Sequence, residues 1–109
     1  MLTKTKNTKK IKFSVITVTK NSEKHLEKNI LSVQKQTYQN YEHIIIDGNS
    51  QDKTKKILRR HKSRLRIISE NDNGLYDAMN KGIKLASGDV ICILNSDDFY
   101  YKKALQIMN

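Results

Sequence analysis

The sequence predicts a single α/β domain with a mostly parallel sheet and helices on both of its faces. Apolar, β-branched segments alternate with segments of helical periodicity, in the order strand, helix, strand, helix, strand, helix, strand. The length of 109 residues fits one domain of ordinary size. No apolar run reaches the roughly 18 residues that a membrane-spanning helix needs, so a spanning helix is not expected.

The first strand and helix are predicted from the segment that ends near Gln36. Residues 11–18 (IKFSVITV) are apolar and β-branched, which is typical of a strand buried on both faces. Asn21 or Ser22 then caps a helix that ends near Gln36. The apolar positions of this helix are spaced by four and three residues: Leu26, Ile30 and Val33.

The middle of the chain predicts two further strands and a basic helix. Residues 43–46 form the second strand, and residues 47–50 are a cluster of turn-forming residues that ends it. Residues 52–62 read as a basic amphipathic helix, residues 65–69 as the third strand, and residues 71–74 as a loop.

The last third of the chain predicts a helix, a strand and the start of another helix. Leu75, Met79, Ile83 and Ala86 mark the helix, and Gly88 is expected to close it. Residues 90–94 (VICIL) are expected to form a fourth buried strand, with Cys92 as a small core residue. Residues 101–108 begin the next helix.

The formal charge of +10 is concentrated in two segments. Residues 1–10 are predicted to be a basic tail ahead of a domain at residues 11–109, and residues 53–66 hold eight basic residues and no acid. Such runs are usually solvated, but attraction to an anionic membrane surface stays open. Nucleic-acid binding is not expected, because the sequence has no aromatic stacking ladder, RNA-binding signature or zinc-finger spacing. The composition and the basic N-terminus, which no apolar run follows, predict a cytoplasmic protein.

Polar residues follow three of the predicted strands. Asn21 comes after the first strand and Asp47 after the second, and residues 95–98 (NSDD) come after the fourth. Ligands of open parallel sheets bind beyond the carboxyl ends of the strands. Taken alone, Ser-Asp-Asp is more typical of an ordinary turn, but carboxylates there also suit a hard divalent cation. No Gly-rich dinucleotide fingerprint and no phosphate-cradling loop follow the first strand, which argues against dehydrogenases and nucleoside triphosphatases.

Two long segments of the chain, with their motifs in order, resemble a known family. They are the segments SVITVTKNSEKHLEKNILSVQKQTYQNYEHIIIDGNSQDKT and ENDNGLYDAMNKGIKLASGDVICILNSDDFY, which contain the patterns DGxSxDxT, GxYDAMNKGI and LNSDD. Over roughly residues 11–101 the chain resembles glycosyltransferase family 2, and most of all its bacterial O-antigen and capsule branch. The resemblance implies a Rossmann-like GT-A fold and metal-assisted sugar transfer in surface-polysaccharide assembly. The donor would be a nucleotide-diphospho-sugar, with a UDP-sugar favoured, and the acceptor a glycan or a lipid-linked glycan.

The resemblance also implies site residues. Those expected to bind the nucleotide-sugar are Thr17, Val18, Thr19, Asn21, Asp47, Asn80, Asn95 and Ser96. Asp97 and Asp98 are the expected ligands of Mn²⁺ or Mg²⁺. The metal would neutralise the charge that develops on the departing nucleoside diphosphate.

The sequence departs from the family pattern in composition and in length. Asn95 replaces the first acid of the Asp-x-Asp motif, Gly48 replaces the second acid after Asp47, and Met79 stands where many relatives have Arg. No acid follows Asp98, so the general base of the transfer reaction has no candidate and the catalytic residues are unknown.

We therefore expect the chain to be the nucleotide-sugar-binding half of a transferase, located in the cytoplasm or at the inner face of the plasma membrane. A truncated, inactive nucleotide- or metal-binding fragment is one alternative, and a basic polyanion-binding protein is another. Exposed apolar surface on an open half-sheet would favour a homo-oligomer.

Overall fold

The structure, a computed structural model, describes residues 10–109, so all but the last residue of the predicted basic tail lies outside it. It confirms the α/β prediction, because four parallel strands form one sheet in the order β3-β2-β1-β4. The strands are β1 (Phe13–Thr19), β2 (Tyr41–Asp47), β3 (Arg66–Ser69) and β4 (Val90–Ile93). The helices are α1 (Leu26–Gln34), α2 (Thr54–Arg60), α3 (Leu75–Leu85) and α4 (Ala104–Met108), with a 3₁₀ turn at Lys62–Arg64.

Helices cover both faces of the sheet, as the sequence predicts. Side chains alternate between the faces of a strand, so the three isoleucines of β2 are divided between two cores. Ile45 packs in a cluster with residues of α1 and α2, such as Leu26 and Ile57. Ile44 and Ile46 pack on the other face with Ala78 of α3. Strand β2 is therefore apolar on both of its faces and lies between the two helix layers.

Helix α1 begins later than the sequence predicts. Asn21 has a left-handed φ of 51°, and the amides of His25 and Leu26 both donate to the Ser22 carbonyl oxygen. A turn therefore separates Asn21 from the first residue of α1. This arrangement frees the Asn21 side chain to accept a hydrogen bond from the Gln51 amide at 2.8 Å.

Gly88 does not close helix α3, so that prediction is wrong. The helix ends at Leu85, and Ala86 already has an extended backbone. Gly88 instead packs against β1, where its amide donates to Ser14 Oγ at 2.8 Å. The glycine does mark a special position, but the reason is that a side chain at residue 88 would not fit against β1.

Strand β4 is less buried than the sequence predicts. Val90, Ile91 and Ile93 are 39%, 42% and 39% exposed. Within residues 10–109, β4 pairs only with β1 and forms an edge of the sheet, whereas an apolar run of this kind predicted an interior strand. Cys92 is half-buried and packs against the core cluster that contains Phe13.

We expect Gly82→Ala in α3 to destabilise the domain by about 1–2 kcal/mol, because the added methyl overpacks the core. A Cβ at residue 82 would lie 2.6 Å from Ile16 Cγ2 and 3.4 Å from Ile46 Cγ1. The direction of the change in stability is informative, because replacing Gly by Ala inside a helix ordinarily stabilises a protein by about 1 kcal/mol. Urea unfolding measures the change, and Lys84→Ala on the exposed side of α3 is the control. A Gly82→Ala protein more stable than the parent would contradict the packing described.

Candidate functional site

The carboxyl ends of β1, β2 and β3 meet at one edge of the sheet. Thr19 is in register with Asp47, and Asp47 with Ser69. The pairing continues one residue further, because the Gly48 amide donates to the Thr19 carbonyl oxygen at 2.9 Å and the Glu70 amide to the Asp47 carbonyl oxygen at 3.0 Å. The loops that the sequence singled out therefore begin from a common edge, as parallel strands require.

A cavity of about 340 Å³ opens at this edge. It is lined by Val18, Thr19, Lys20, Ser22, Asp72, Gly74, Leu75 and Ser96. Three of the predicted nucleotide-sugar residues, Val18, Thr19 and Ser96, are thus brought together. The size and the mixed lining suit part of a small polar ligand.

The hydroxyl of Thr19 is the most informative group in this cavity. Thr19 is only 2% exposed, and its Oγ1 has no hydrogen-bond partner among the described residues. Buried hydroxyls are rarely left without a partner, because the lost hydrogen bond costs about 1–3 kcal/mol. Thr19 thus brings a hydroxyl without a partner among the described residues to the end of β1, next to the cavity.

Asp47 lies beneath the cavity and is not part of its lining. It is fully buried, and its carboxylate accepts hydrogen bonds from the Ser50 amide (3.2 Å), from the Ser50 hydroxyl and from the Ser69 hydroxyl (2.7 Å). These contacts order the turn after β2 and tie it to β3. Contact between Asp47 and a nucleoside stays a prediction.

Four other predicted residues also lie outside the lining, and one of them, Asn95, is exposed just after the end of β4. Thr17 is buried within the helix-covered sheet and bonds to side chains of the core. Asn21 holds the neighbouring loop through Ser50 Oγ and the Gln51 amide. Asn80 is exposed on α3. Their predicted contacts with a nucleotide-sugar also stay predictions.

Residues 95–98 form a tight turn beside the cavity. The Asp98 amide donates to the Asn95 carbonyl oxygen at 2.9 Å, which places Ser96 and Asp97 in the middle of the turn. Ser96 lines the cavity, and its hydroxyl lies 2.8 Å from that of Ser22. Asp97 and Asp98 are exposed. Their carboxylates are therefore accessible beside the cavity.

The donor set decides what kind of cation these carboxylates fit. Among residues 10–109, no group of three or more His, Cys, Asp or Glu side chains could hold a metal ion by itself. Mg²⁺ and Mn²⁺ are commonly held by one or two carboxylates together with substrate phosphates. Asp97 and Asp98 thus fit a cation that is shared with a diphosphate, and not a metal ion bound by protein side chains alone.

Asp72 is a cavity residue to which sequence reasoning assigned no role. Its Oδ2 lies only 2.9 Å from where a Cβ on Gly48 would stand, and its Oδ1 accepts from the Gly74 amide at 3.1 Å. The carboxylate of Asp72 therefore fills the space that a side chain at position 48 would need. Gly48, noted in the sequence as a missing acid, is the signal that could have pointed to it.

Lys81 holds the loop that carries Asp72. Its Nζ lies 3.0 Å from Glu70 Oε2, 3.6 Å from Asp77 Oδ2 and 3.0 Å from the Asn71 carbonyl oxygen. The hydrogen bond to Glu70 is the main reason why the pKa of Lys81 is raised. The hydrogen bond from the Asn73 amide is the main reason why the pKa of Asp77 is lowered; desolvation opposes it, and Lys81 adds to the lowering. Lys81 therefore fixes one wall of the cavity.

A larger groove, of about 750 Å³, lies on the outer side of α1. Phe99 and Tyr100 form its aromatic wall, and Lys28 Nζ stands 3.9 Å from the centre of the Phe99 ring. None of the predicted site residues lines this groove. Its aromatic and basic character differs from that of the cavity at the strand ends.

Comparisons with known proteins identify a family model and relatives that this chain matches. The model of the family described as Glycosyl transferase family 2 matches residues 14–108. The UDP-Glc:α-D-GlcNAc-diphosphoundecaprenol β-1,3-glucosyltransferase WfgD of Escherichia coli is 36% identical over 96 residues. That match covers 86% of this chain and 38% of WfgD.

Solved structures are also similar to this chain over most of its length. TarS 1–349 of S. aureus in complex with UDP-GlcNAc superposes with a TM-score of 0.80 at 30% identity, over 90% of this chain and 30% of that one. The mannosyltransferase PcManGT of Pyrobaculum calidifontis, in complex with GDP-Man and Mn²⁺, has a TM-score of 0.78 at 24% identity, which shows the shared fold. This match covers 85% of the chain and 29% of PcManGT. The chain thus spans about a third of the length of these relatives. In residues 10–109, no helix has the length and hydropathy to cross a bilayer.

Proposed function

The chain belongs to glycosyl transferase family 2, and from that premise we propose that it binds a nucleotide-diphospho-sugar in the cavity at the strand ends, for transfer of the sugar to an acceptor. The observation that carries the proposal is the cavity at the strand ends, which Thr19 and Ser96 line and the Asp97 turn flanks; the buried hydroxyl of Thr19 has no partner among the described residues. A ligand rich in hydrogen-bonding groups would pair with the polar groups of this cavity.

The residues that line the cavity differ in the chemical groups that they offer a ligand. Thr19 and Ser96 present hydroxyls that donate to or accept from a ligand, and Lys20 supplies positive charge for a diphosphate. Val18 and Leu75 add apolar surface. Asp72 and Lys81 keep the loop over the cavity in place. Binding in a fixed orientation is what sugar transfer first requires, because it aligns the anomeric carbon with the acceptor.

Asp97 and Asp98 are the residues that would hold Mn²⁺ or Mg²⁺ when a diphosphate shares the ion. The bound ion supplies Lewis-acid stabilisation of the negative charge that develops on the leaving diphosphate. The exposed position of both carboxylates, next to Ser96 in the cavity wall, supports this assignment.

The donor, the acceptor and the cellular setting are parts of the same proposal. We favour a UDP-sugar, in line with the UDP-GlcNAc bound to TarS, and a glycan or lipid-linked acceptor, in line with the name of WfgD. The exposed basic residues of α2, Lys56, Arg59 and Arg60, support contact with an anionic membrane on the cytoplasmic side. The exposed edge of β4 supports pairing with a second copy of the chain.

Titration calorimetry of UDP with and without Mn²⁺ tests the proposal. We expect Mn²⁺-dependent binding to the parent protein and at least a tenfold weaker affinity, or about 1.4 kcal/mol, in Asp97→Ala, because one of two carboxylate ligands is lost. Asp89→Ala is the matched control, since Asp89 precedes the opposite end of β4, where its carboxylate accepts from the Lys12 amide.

Two outcomes of this titration, and two of companion assays of sugar transfer and nucleic-acid binding, would count against parts of the proposal. Equal affinity in the presence and absence of Mn²⁺ would remove the metal assignment. Absence of UDP binding, with the protein folded, would overturn the nucleotide-sugar site. UDP binding without sugar transfer to any acceptor would favour the alternative of a binding module, and salt-sensitive binding of nucleic acid in place of UDP would favour a polyanion-binding protein.

A further inference from the structure

A stripe of polar side chains on α1 and the residues just after it faces the backbone of the segment that follows β4. Ser32 Oγ accepts a hydrogen bond from the Tyr100 amide at 3.0 Å. Gln36 donates to the Tyr101 carbonyl oxygen at 2.7 Å and accepts from the Leu105 amide at 3.0 Å. Asn29 lies at the start of this stripe, three residues before Ser32, and so shares its face of the helix.

The side chain of Asn29 is hydrogen-bonded to both the first and the last residue of the turn at residues 95–98. Its Nδ2 donates to the Asn95 carbonyl oxygen at 2.9 Å and to the Asp98 carbonyl oxygen at 3.1 Å. These are the first and last residues of the turn, and Asp97 lies between them. One carboxamide therefore closes the turn that presents the exposed carboxylates.

The direction of each hydrogen bond around Asn29 follows from the groups present. Two carbonyl oxygens can only accept, so the Asn29 amide nitrogen must face them and its Oδ1 must face Thr17. Thr17 Oγ1 lies 3.3 Å from Asn29 Oδ1 and donates its single proton there. The other neighbour of Thr17 Oγ1, His43 Nε2 at 2.9 Å, must then be the donor.

His43 is suited to this fixed arrangement. Its ring is 2% exposed, and burial lowers its pKa to about 3, so it is neutral with its proton on Nε2. Asn29 and Thr17 are fully buried. The hydrogen bonds from His43 through Thr17 and Asn29 to the turn therefore all run in the same direction. Because these three side chains are buried, the orientation of the carboxamide is well defined.

We propose that Asn29 is a positioning residue that holds the 95–98 turn, and thereby Asp97 and Ser96, in the geometry that the ligand site requires. The effect on ligand binding rests on the proposed function, whereas the effect on the turn does not. A single carboxamide with both ends of the turn as partners explains why an asparagine, which favours neither a helix interior nor an apolar core, is buried here.

Asn29→Leu tests the inference, because leucine has a similar volume and no donor. Without Asn29, the carbonyl oxygens of Asn95 and Asp98 lose a buried partner, which opens the turn to water. We expect hydrogen exchange of the Asp98 amide, followed by NMR on the ligand-free protein, to become at least tenfold faster and to accelerate more than that of the β1 amides, where Thr17 loses its acceptor as well. We also expect the affinity for UDP with Mn²⁺ to fall by about tenfold.

Ser32→Ala is the matched control on the same stripe, since it removes the partner of Tyr100 and leaves the turn's partners in place. Its Asp98 amide should exchange as in the parent. Should Asn29→Leu fail to fold, Asn29→Ala gives the second variant, because it removes the same donor without adding an apolar side chain beside Thr17. Exchange at Asp98 should become faster than in the parent, and binding of UDP with Mn²⁺ should weaken.

The possible results separate this inference from the proposed function. Unchanged exchange at Asp98 in Asn29→Leu would overturn the positioning role, and so would faster exchange with unchanged affinity for UDP. Faster exchange in a protein whose parent binds no UDP would support the hold of Asn29 on the turn and overturn the nucleotide-sugar site. Faster exchange at Asp98 together with weaker UDP binding in Asn29→Leu would support both the positioning role and the nucleotide-sugar site.

Discussion

Gly88→Ala is expected to destabilise the domain by about 3 kcal/mol, the upper end of what a small overpacking substitution costs. A Cβ at residue 88 would lie 2.6 Å from Ser14 Oγ, 2.7 Å from the Lys12 carbonyl oxygen and 2.9 Å from the Ser14 backbone nitrogen. Two of these atoms belong to the backbone of β1 and its approach, so they cannot move without disturbing the central strand. The connection between α3 and β4 would be pushed off the sheet.

Urea unfolding followed by circular dichroism measures this effect, and Gly82→Ala is the matched comparison. The same added methyl meets only side-chain atoms at residue 82, which can shift, so Gly88→Ala should be the more destabilising of the two. A Gly88→Ala protein that unfolds at the same urea concentration as the parent would show that the loop does not approach β1 this closely.

Acid is expected to destabilise the domain through Glu42, at the end of the sheet opposite the cavity. Burial by itself would raise the pKa of this carboxyl, but hydrogen bonds outweigh it and lower the pKa from 4.5 to about 2. The donors are Ser14 Oγ (2.6 Å), the Ser87 amide (2.6 Å), Ser87 Oγ (3.0 Å) and Arg66 Nη1 (3.1 Å). Glu42 thus joins β1, β2 and β3 to the loop after α3.

The sign of the pH dependence follows from the lowered pKa. The folded protein keeps Glu42 ionised below pH 4.5, where the unfolded chain binds a proton, so the stabilisation is complete above pH 4.5 and lost as the pH falls towards 2. The difference in pKa corresponds to about 3 kcal/mol of unfolding free energy. The side chain is only 11% exposed, so solvent screens this contribution little.

Urea unfolding at several pH values between 2 and 7 tests the role of Glu42. Glu42→Gln should be less stable than the parent at pH 7, and the difference should vanish near pH 2. Glu23→Gln, at an exposed glutamate next to α1, is the control and should keep the acid dependence of the parent. If Glu42→Gln kept that dependence too, another carboxyl would be responsible for it.

Several features of the fold and the site could be predicted from the sequence because their signal is local. The alternation of β-branched strands and amphipathic helices is a direct record of which side chains are buried, and it predicted the order of elements and the parallel sheet. The polar residues that end the strands predicted the edge where the cavity lies. Thr19 and Ser96 were assigned to ligand binding through the family resemblance, and they meet at that cavity because the ends of parallel strands share one edge of the sheet.

Other features depended on contacts between residues far apart in the chain. The hold of Asn29 on the 95–98 turn joins positions 66 and 69 residues apart, and no local pattern distinguishes it from an ordinary helix asparagine. The approach of Asp72 to Gly48 and of Gly88 to Ser14 likewise depends on how loops cross the sheet. The exposure of β4 follows from its place at the edge, which an apolar run does not reveal.

The sequence by itself thus determined the class of fold, the edge that carries the site and the family. The tertiary structure decided which of the predicted residues line the cavity, and it placed Asp47 and Thr17 in buried hydrogen-bond networks instead. The physical reason is that periodicity records whether a side chain is buried, whereas its partner is set by the register of strands and the path of loops. The partners therefore become known only when the chain is folded.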